Sequence, residues 1–205
     1  MAGTMLFLSL HARPISLEAG CFLSDLLNMY RRYAHDRGWD NVVLYDDYRE
    51  GAYSSCLEAL LWIDAVDAAE ELRFEIGVQR ANYSPGCNSS IYNCVADVRG
   101  AVTSGAALSL LAVINFSDHE NSHLSESQGA LPPTTFPLGS VEQLREQLRP
   151  DRQYGLQSTE VIRGYNYRMD RVQDHRLEYP LALRPILFDH ALEDLIVGLE
   201  LATPR

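Results

Sequence analysis

The sequence predicts an α/β (α+β) fold, a sheet of short apolar strands with helices packed on it. Three observations carry that expectation. Strand-like runs recur at residues 5–12, 41–48, 53–64 and 90–98. Apolar residues at helical spacing fall between and after them, at 16–38, 66–77 and 189–201. The composition, 46% hydrophobic and 22% charged, suits a globular core, and 205 residues allow one domain or two small ones.

The elements follow in order. "MLFLSLHA" reads as the first strand. The next stretch reads as a helix: Ser16 can accept from the free N–H groups of a first turn, and Leu23, Leu26, Leu27 and Tyr30 share one face. Gly38 is placed to end it, and Arg31, Arg32 and Arg37 suit the negative end of its dipole, with a solvated face as the plainer reading of these residues. "NVVLYDDY" and "YSSCLEALLWID" read as two strands around a loop at residues 50–51. "VDAAEELRFEIG" reads as a second helix stopped by Gly77, "YSPGCNSS" as a turn and "SIYNCVADV" as a strand. Residues 100–116 are small, apolar and strand-like; residues 117–140 are polar and Pro-rich, as loops are. A short helix capped by Ser140 follows, then a basic strand-and-loop stretch, then a closing helix over "DHALEDLIVGLEL".

Charge and cysteine usage narrow the function. A formal charge of −11 argues against non-specific DNA binding, which needs a basic face, but leaves room for docking on RNA through a local patch. The apolar run at residues 5–10 is too short to span a membrane, and no signal-peptide pattern precedes it, so a cytoplasmic protein without a membrane partner is expected. Cys21, Cys56, Cys87 and Cys94 form no C-x-x-C pair. Free buried thiols are expected, with a Cys87–Cys94 disulfide as the alternative.

The basic patch is "IRGYNYRMDRVQDHR", residues 162–176, with Arg163, Arg168, Arg171 and Arg176 among aromatic and acidic residues. Together with "LEAGCFLSDLLNMYRRYAHDRGW" and "LRFEIGVQRANYSPG", it resembles the bacterial class I peptide chain release factors. The family patterns run "EA..F..DL..MY.RYAE..GW", then a helix leading into the codon-reading loop, "LKFESGVHRVQR", then "IRTYNFPQGRVTDHR" with a "LDELI"-like closing helix. Here that helix reads "LEDLI". The resemblance covers most of residues 5–98 and 158–198. It implies a composite sheet-and-helix domain like the family's decoding superdomain, which sits at the decoding centre of the small ribosomal subunit. On that basis Arg163, Arg168 and Arg171 are candidates for contacting ribosomal RNA or for internal ion pairs, and Asp174 and Arg176 are expected in a packed polar cluster.

The departures from the family are as informative. The family's Gly-Gly-Gln motif, which positions a water against the peptidyl-tRNA ester, has no counterpart in this sequence. Ser104, Gly105 and Ala106 stand in its loop, and an acidic, serine-rich segment replaces the basic one after it. The family's N-terminal helical domain also has no match. The codon-loop equivalents are Ser84, Pro85 and Gly86, which resemble a Ser-Pro-Phe form without its aromatic residue. Tyr92 stands where the family has a stop-codon-stacking histidine; a tyrosine can stack on a base but lacks the imidazole's two nitrogens. A turn serving only the fold is the alternative reading of residues 84–88.

His119, Glu120 and His123 form an H-E-x-x-H match, with Glu142 or Glu146 as a possible third ligand. On a helix that spacing binds zinc, but a polar, Pro-rich setting favours a surface loop, so no cofactor is expected. The resulting organisation is residues 1–98 as the first part of a codon-reading region, 99–157 as a truncated remnant of the catalytic domain, and 158–205 as a C-terminal part packing back on the first. The function expected is that of a non-catalytic ribosome binder near the decoding site, an accessory or protection factor. The alternative is a release-factor fold recruited off the ribosome as an interaction module or pathway enzyme, with a zinc hydrolase the remotest form.

Overall fold

A computed structural model describes residues 4–49, 55–84, 91–104 and 161–203. Eight strands form one sheet among them: β1 (Thr4–Arg13), β2 (Asp40–Arg49), β3 (Ser55–Asp64), β4 (Gly77–Tyr83), β5 (Tyr92–Ser104), β6 (Val161–Asn166), β7 (Arg171–Asp174) and β8 (Leu181–Ala182). Their order is β2-β3-β1-β5-β4-β6-β7-β8. Every pairing is antiparallel except β4 with β6, which run parallel. The last three strands therefore extend a sheet that the first hundred residues begin.

Helix α1 (Leu17–Asp36) lies across β3, β1 and β5. Its start and end follow the sequence signals. The Ser16 hydroxyl accepts from the Ala19 N–H at 3.2 Å, and Gly38 takes a left-handed φ of 70° as the chain turns away. Leu6, Leu8 and Leu10 of β1 meet Phe22, Leu23, Leu26 and Tyr30 of α1 in one core. The C-terminal helices α3 (Leu183–Phe188) and α4 (Leu192–Ala202) join the same core through Leu187, Leu195 and Leu199. On the β1 face carrying Phe7, the buried polar residue Ser9 is hydrogen bonded to His11 at 2.7 Å, so neither is left unsatisfied. Cys21, Cys56 and Cys94 are buried thiols outside any disulfide, as expected, and Cys87 lies outside the described residues.

The second predicted helix needs correction. The α-helical part, α2, covers only Ala68–Glu71, and Leu72–Glu75 tighten into a 3-10 turn. Gly77 does not stop a helix. It opens β4 at φ 143°, where a Cβ would lie 2.8 Å from the Ile162 Cγ2 atom. The segment expected as a helix leading to the codon-loop equivalents is thus a strand. The tight turn buries Leu72, Phe74 and Glu75 together, which a longer exposed helix would not do. Strand β5 also continues past residue 98 and pairs with β1 as far as Ser104. The short helix expected after Ser140 lies outside the described residues.

Candidate functional site

The basic stretch divides by the period of a strand. Successive side chains on β6 and β7 point to opposite faces, and Arg163 pairs in register with Asp174, Tyr165 with Val172. All four of these point inward and are buried. Arg163 is 0% exposed, so of its two expected readings the RNA contact is corrected and the internal ion pair is what it makes: the guanidinium is inside the core.

Its partners account for the burial. Arg163 donates through Nη1 and Nη2 to the two Glu75 carboxylate oxygens, each at 2.6 Å, and through Nε to Asp174 at 2.9 Å. The fork-to-carboxylate geometry is the strong form of the interaction. Glu75 also accepts from the Tyr30 hydroxyl at 3.0 Å. Gln79 donates to the Tyr30 oxygen at 2.8 Å and accepts from the Tyr165 hydroxyl at 2.7 Å, which closes the network. Arg176 lies over the outer side and grips Asp174 twice, at 2.8 Å and 2.8 Å, while donating to the Phe74 carbonyl at 2.8 Å. Asp174 and Arg176 therefore form the packed polar cluster that was expected. Burial opposes the Arg163 charge, but Glu75 and the neighbouring groups outweigh it and hold its pKa well above the ordinary value. Burial likewise pushes Asp174 up, and the bonds from Arg176 and the charge of Arg163 reverse this, leaving the carboxyl below its usual range.

The opposite end of these strands from the network faces outward. The register places Tyr83 opposite Tyr92, and Asn82 beside Asn166, which in turn faces Arg171. The end of β4, the start of β5 and the β6–β7 turn therefore meet at one end. Arg168 and Arg171 are exposed there, as is Met169. Ser84 follows Tyr83 and is half-buried, as is Tyr92. Pro85 and Gly86 lie outside the described residues. The turn is pinned on its far side to α3, where the Asp170 carboxylate accepts from the Arg184 N–H at 2.9 Å and its carbonyl from the Leu183 N–H at 3.2 Å.

Three residues the sequence did not single out, Tyr167, Tyr83 and Asp25, complete this end. Tyr167 donates its hydroxyl to Asp25 at 2.7 Å and its backbone N–H to the Asn82 carbonyl at 3.2 Å. Its ring meets Tyr83 edge to face at 4.7 Å. Burial raises the Asp25 carboxyl to about 6, against the opposing pull of the Tyr167 bond and the Arg32 charge. The helical period alone hinted at Asp25, since it falls among core-facing positions of α1.

No group of three or more His, Cys, Asp or Glu side chains among the described residues is placed to hold a metal. His119, Glu120, His123, Glu142 and Glu146 lie outside those residues, as do Gly105 and Ala106. Among the described residues no helix is long and apolar enough to cross a membrane.

Comparison with known proteins adds to this geometry. Residues 4–90 match the family model for the PCRF domain. The chain is 26% identical over 220 residues to peptide chain release factor 1 of Anaeromyxobacter dehalogenans (strain 2CP-C), covering 87% of this chain and 59% of that protein. It is 26% identical over 235 residues to peptide chain release factor 1 of Cytophaga hutchinsonii, covering 90% of this chain and 62% of that one. The chain thus spans about three fifths of the length of these curated relatives. Its fold resembles that of RF2 of Thermus thermophilus, with a TM-score of 0.60 at 20% identity, over 97% of this chain and 68% of that one. In sequence the chain is thus similar to bacterial peptide chain release factor 1, and in fold to RF2 of Thermus thermophilus.

Proposed function

We propose that this chain binds the ribosome at or near the decoding site and does not hydrolyse peptidyl-tRNA, so that it acts as a cytoplasmic accessory or protection factor rather than an enzyme. The observation that carries this reading is the asymmetry of what is kept. The Arg163–Glu75–Asp174 network ties the turn before β4 to β6 and β7, and at the far end of those strands Arg168 and Arg171 stay exposed. The Gly-Gly-Gln sequence needed for positioning the attacking water is missing from the chain. In this reading residues 99–157 take the place of the catalytic domain, between two parts, 1–98 and 158–205, that build the ribosome-facing unit.

Arg168 and Arg171 are the RNA-binding residues of the proposal, and Ser84 and Tyr92 belong to the same end of the sheet. A guanidinium on a phosphate releases condensed counterions, so binding should weaken as salt rises. Pelleting with purified bacterial ribosomes at several salt concentrations tests this. Arg168→Ala and Arg171→Ala should each lower affinity and flatten the log–log salt slope by about 0.7–0.9 for every phosphate the arginine had neutralised. A wild-type chain that pellets with neither the whole ribosome nor either subunit at low salt refutes the reading. Stop-codon-dependent peptide release above background refutes its non-catalytic half.

A further inference from the structure

Asp25 is a costly residue where it stands. It lies in the middle of α1, half-buried, and burial disfavours its charge. Its bonded partner is a neutral phenol, the Tyr167 hydroxyl at 2.7 Å, and not a cation. Arg32, the cation that acts on it, donates instead to the Leu187 carbonyl. An ion pair for stability is therefore not what the carboxylate provides. What it does provide is a fixed orientation of Tyr167, which is otherwise held by its backbone N–H on Asn82 and its ring on Tyr83.

Tyr167 is the joint between two elements. Tyr83 is the last residue of β4 and immediately precedes Ser84, while Arg168 follows Tyr167 directly in the chain. We propose that Asp25 is a positioning residue: through its bond to the Tyr167 hydroxyl it locks the β6–β7 turn to the end of β4, so that Arg168 and Arg171 meet RNA phosphates in one register with the Tyr83–Tyr92 strand end. This rests on the ribosome-binding reading above and supplies its pH sensitivity. A hydroxyl bond to an ionised carboxylate is shorter and about twice as strong as one to a neutral acceptor. Protonation of Asp25 loosens the joint. The groups around Asp25 are Tyr167 from the turn, Tyr83 from β4, and Cys21 and Arg32 from α1 itself. The cysteine and the tyrosines stay protonated across the range concerned, because burial pushes each of them up.

Affinity for purified ribosomes, measured at fixed low salt between pH 5.5 and 7.5, tests the proposal. Wild type should bind about three- to tenfold more weakly at the acid end, the scale of one hydrogen bond. Tyr167→Phe should bind at that weaker level throughout, and Asp25→Asn, which can still accept the hydroxyl without a charge, should show a flat profile. A wild-type profile in Asp25→Asn, or wild-type affinity in Tyr167→Phe, overturns the proposal. If wild type does not bind ribosomes at any pH, the ribosome-binding reading fails, and amide exchange decides the positioning role alone. Tyr167→Phe should then raise exchange about three- to tenfold at the Tyr83, Tyr92 and Tyr167 amides together, with the Leu8 amide of β1 unchanged. Exchange unchanged at these amides, or raised on only one of the two elements, overturns it.

Discussion

Arg163→Met is the most direct test of how this fold is held. Methionine keeps a long apolar stem and removes the guanidinium. Glu75 then loses both of its 2.6 Å bonds to Arg163 and retains the Tyr30 hydroxyl at 3.0 Å. Asp174 loses one bond at 2.9 Å but keeps the two-point grip of Arg176. The damage therefore falls on Glu75, a carboxylate with 0% exposure left without a cation. Removing one partner of a buried pair costs about 3–5 kcal/mol. Domains of this kind are stable by only about 5–15 kcal/mol, so the variant should lose roughly a fifth of that or more. Urea unfolding followed by fluorescence of the buried Trp39 and Trp62 measures it. The double variant Arg163→Met/Glu75→Gln should recover most of the loss, because the cost lies in the orphaned charge more than in the missing bonds. A loss under about 1 kcal/mol, the scale of an exposed pair, would refute the argument, as would a double variant no more stable than the single one.

Three further outcomes follow from the same geometry. Gly77→Ala places a Cβ 2.8 Å from Ile162 at φ 143°, and should cost about 1–3 kcal/mol, read as a melting temperature lower by several degrees. Ser16→Ala removes the hydroxyl that accepts from Ala19 and should cost about 1 kcal/mol, with Ser16→Asp close to wild type in the same melt. Asp25 is raised to about 6 from its ordinary 3.8, so the folded state binds the proton more tightly than the unfolded chain does. Its contribution is fully present below the unfolded value and is lost as pH rises through about 6, so Asp25→Asn should be more stable than wild type at pH 7.5, by up to about 3 kcal/mol, with the gap closing towards pH 4 in urea titrations.

Local signals determined a good part of this protein. Ser16 and Gly38 bracket α1 in the sequence because capping chemistry is local: the hydroxyl reaches an N–H three residues on, and the glycine accepts a left-handed turn that other residues resist. The apolar runs at residues 5–12, 41–48 and 53–64 announce β1, β2 and β3 for a similar reason, and the quoted family patterns point to the relationship that the comparisons support. Gly77 shows where local reading ends, since a glycine suits a helix stop and a strand start equally, and only the approach of Ile162 decides between them. The arginines of the basic stretch show it again. Strand alternation puts Arg163 and Asn166 on opposite faces of β6, but the sequence does not say which face is inside. That depends on Glu75 arriving from a tight turn far earlier in the chain, and on β6 settling parallel to β4. The pairing of Asp25 with Tyr167 was illegible for the same reason, since the helical period hints at a buried Asp25 but names no partner for it. The two become a site only when the last strands complete the sheet over α1 and one hydroxyl comes within 2.7 Å of one carboxylate.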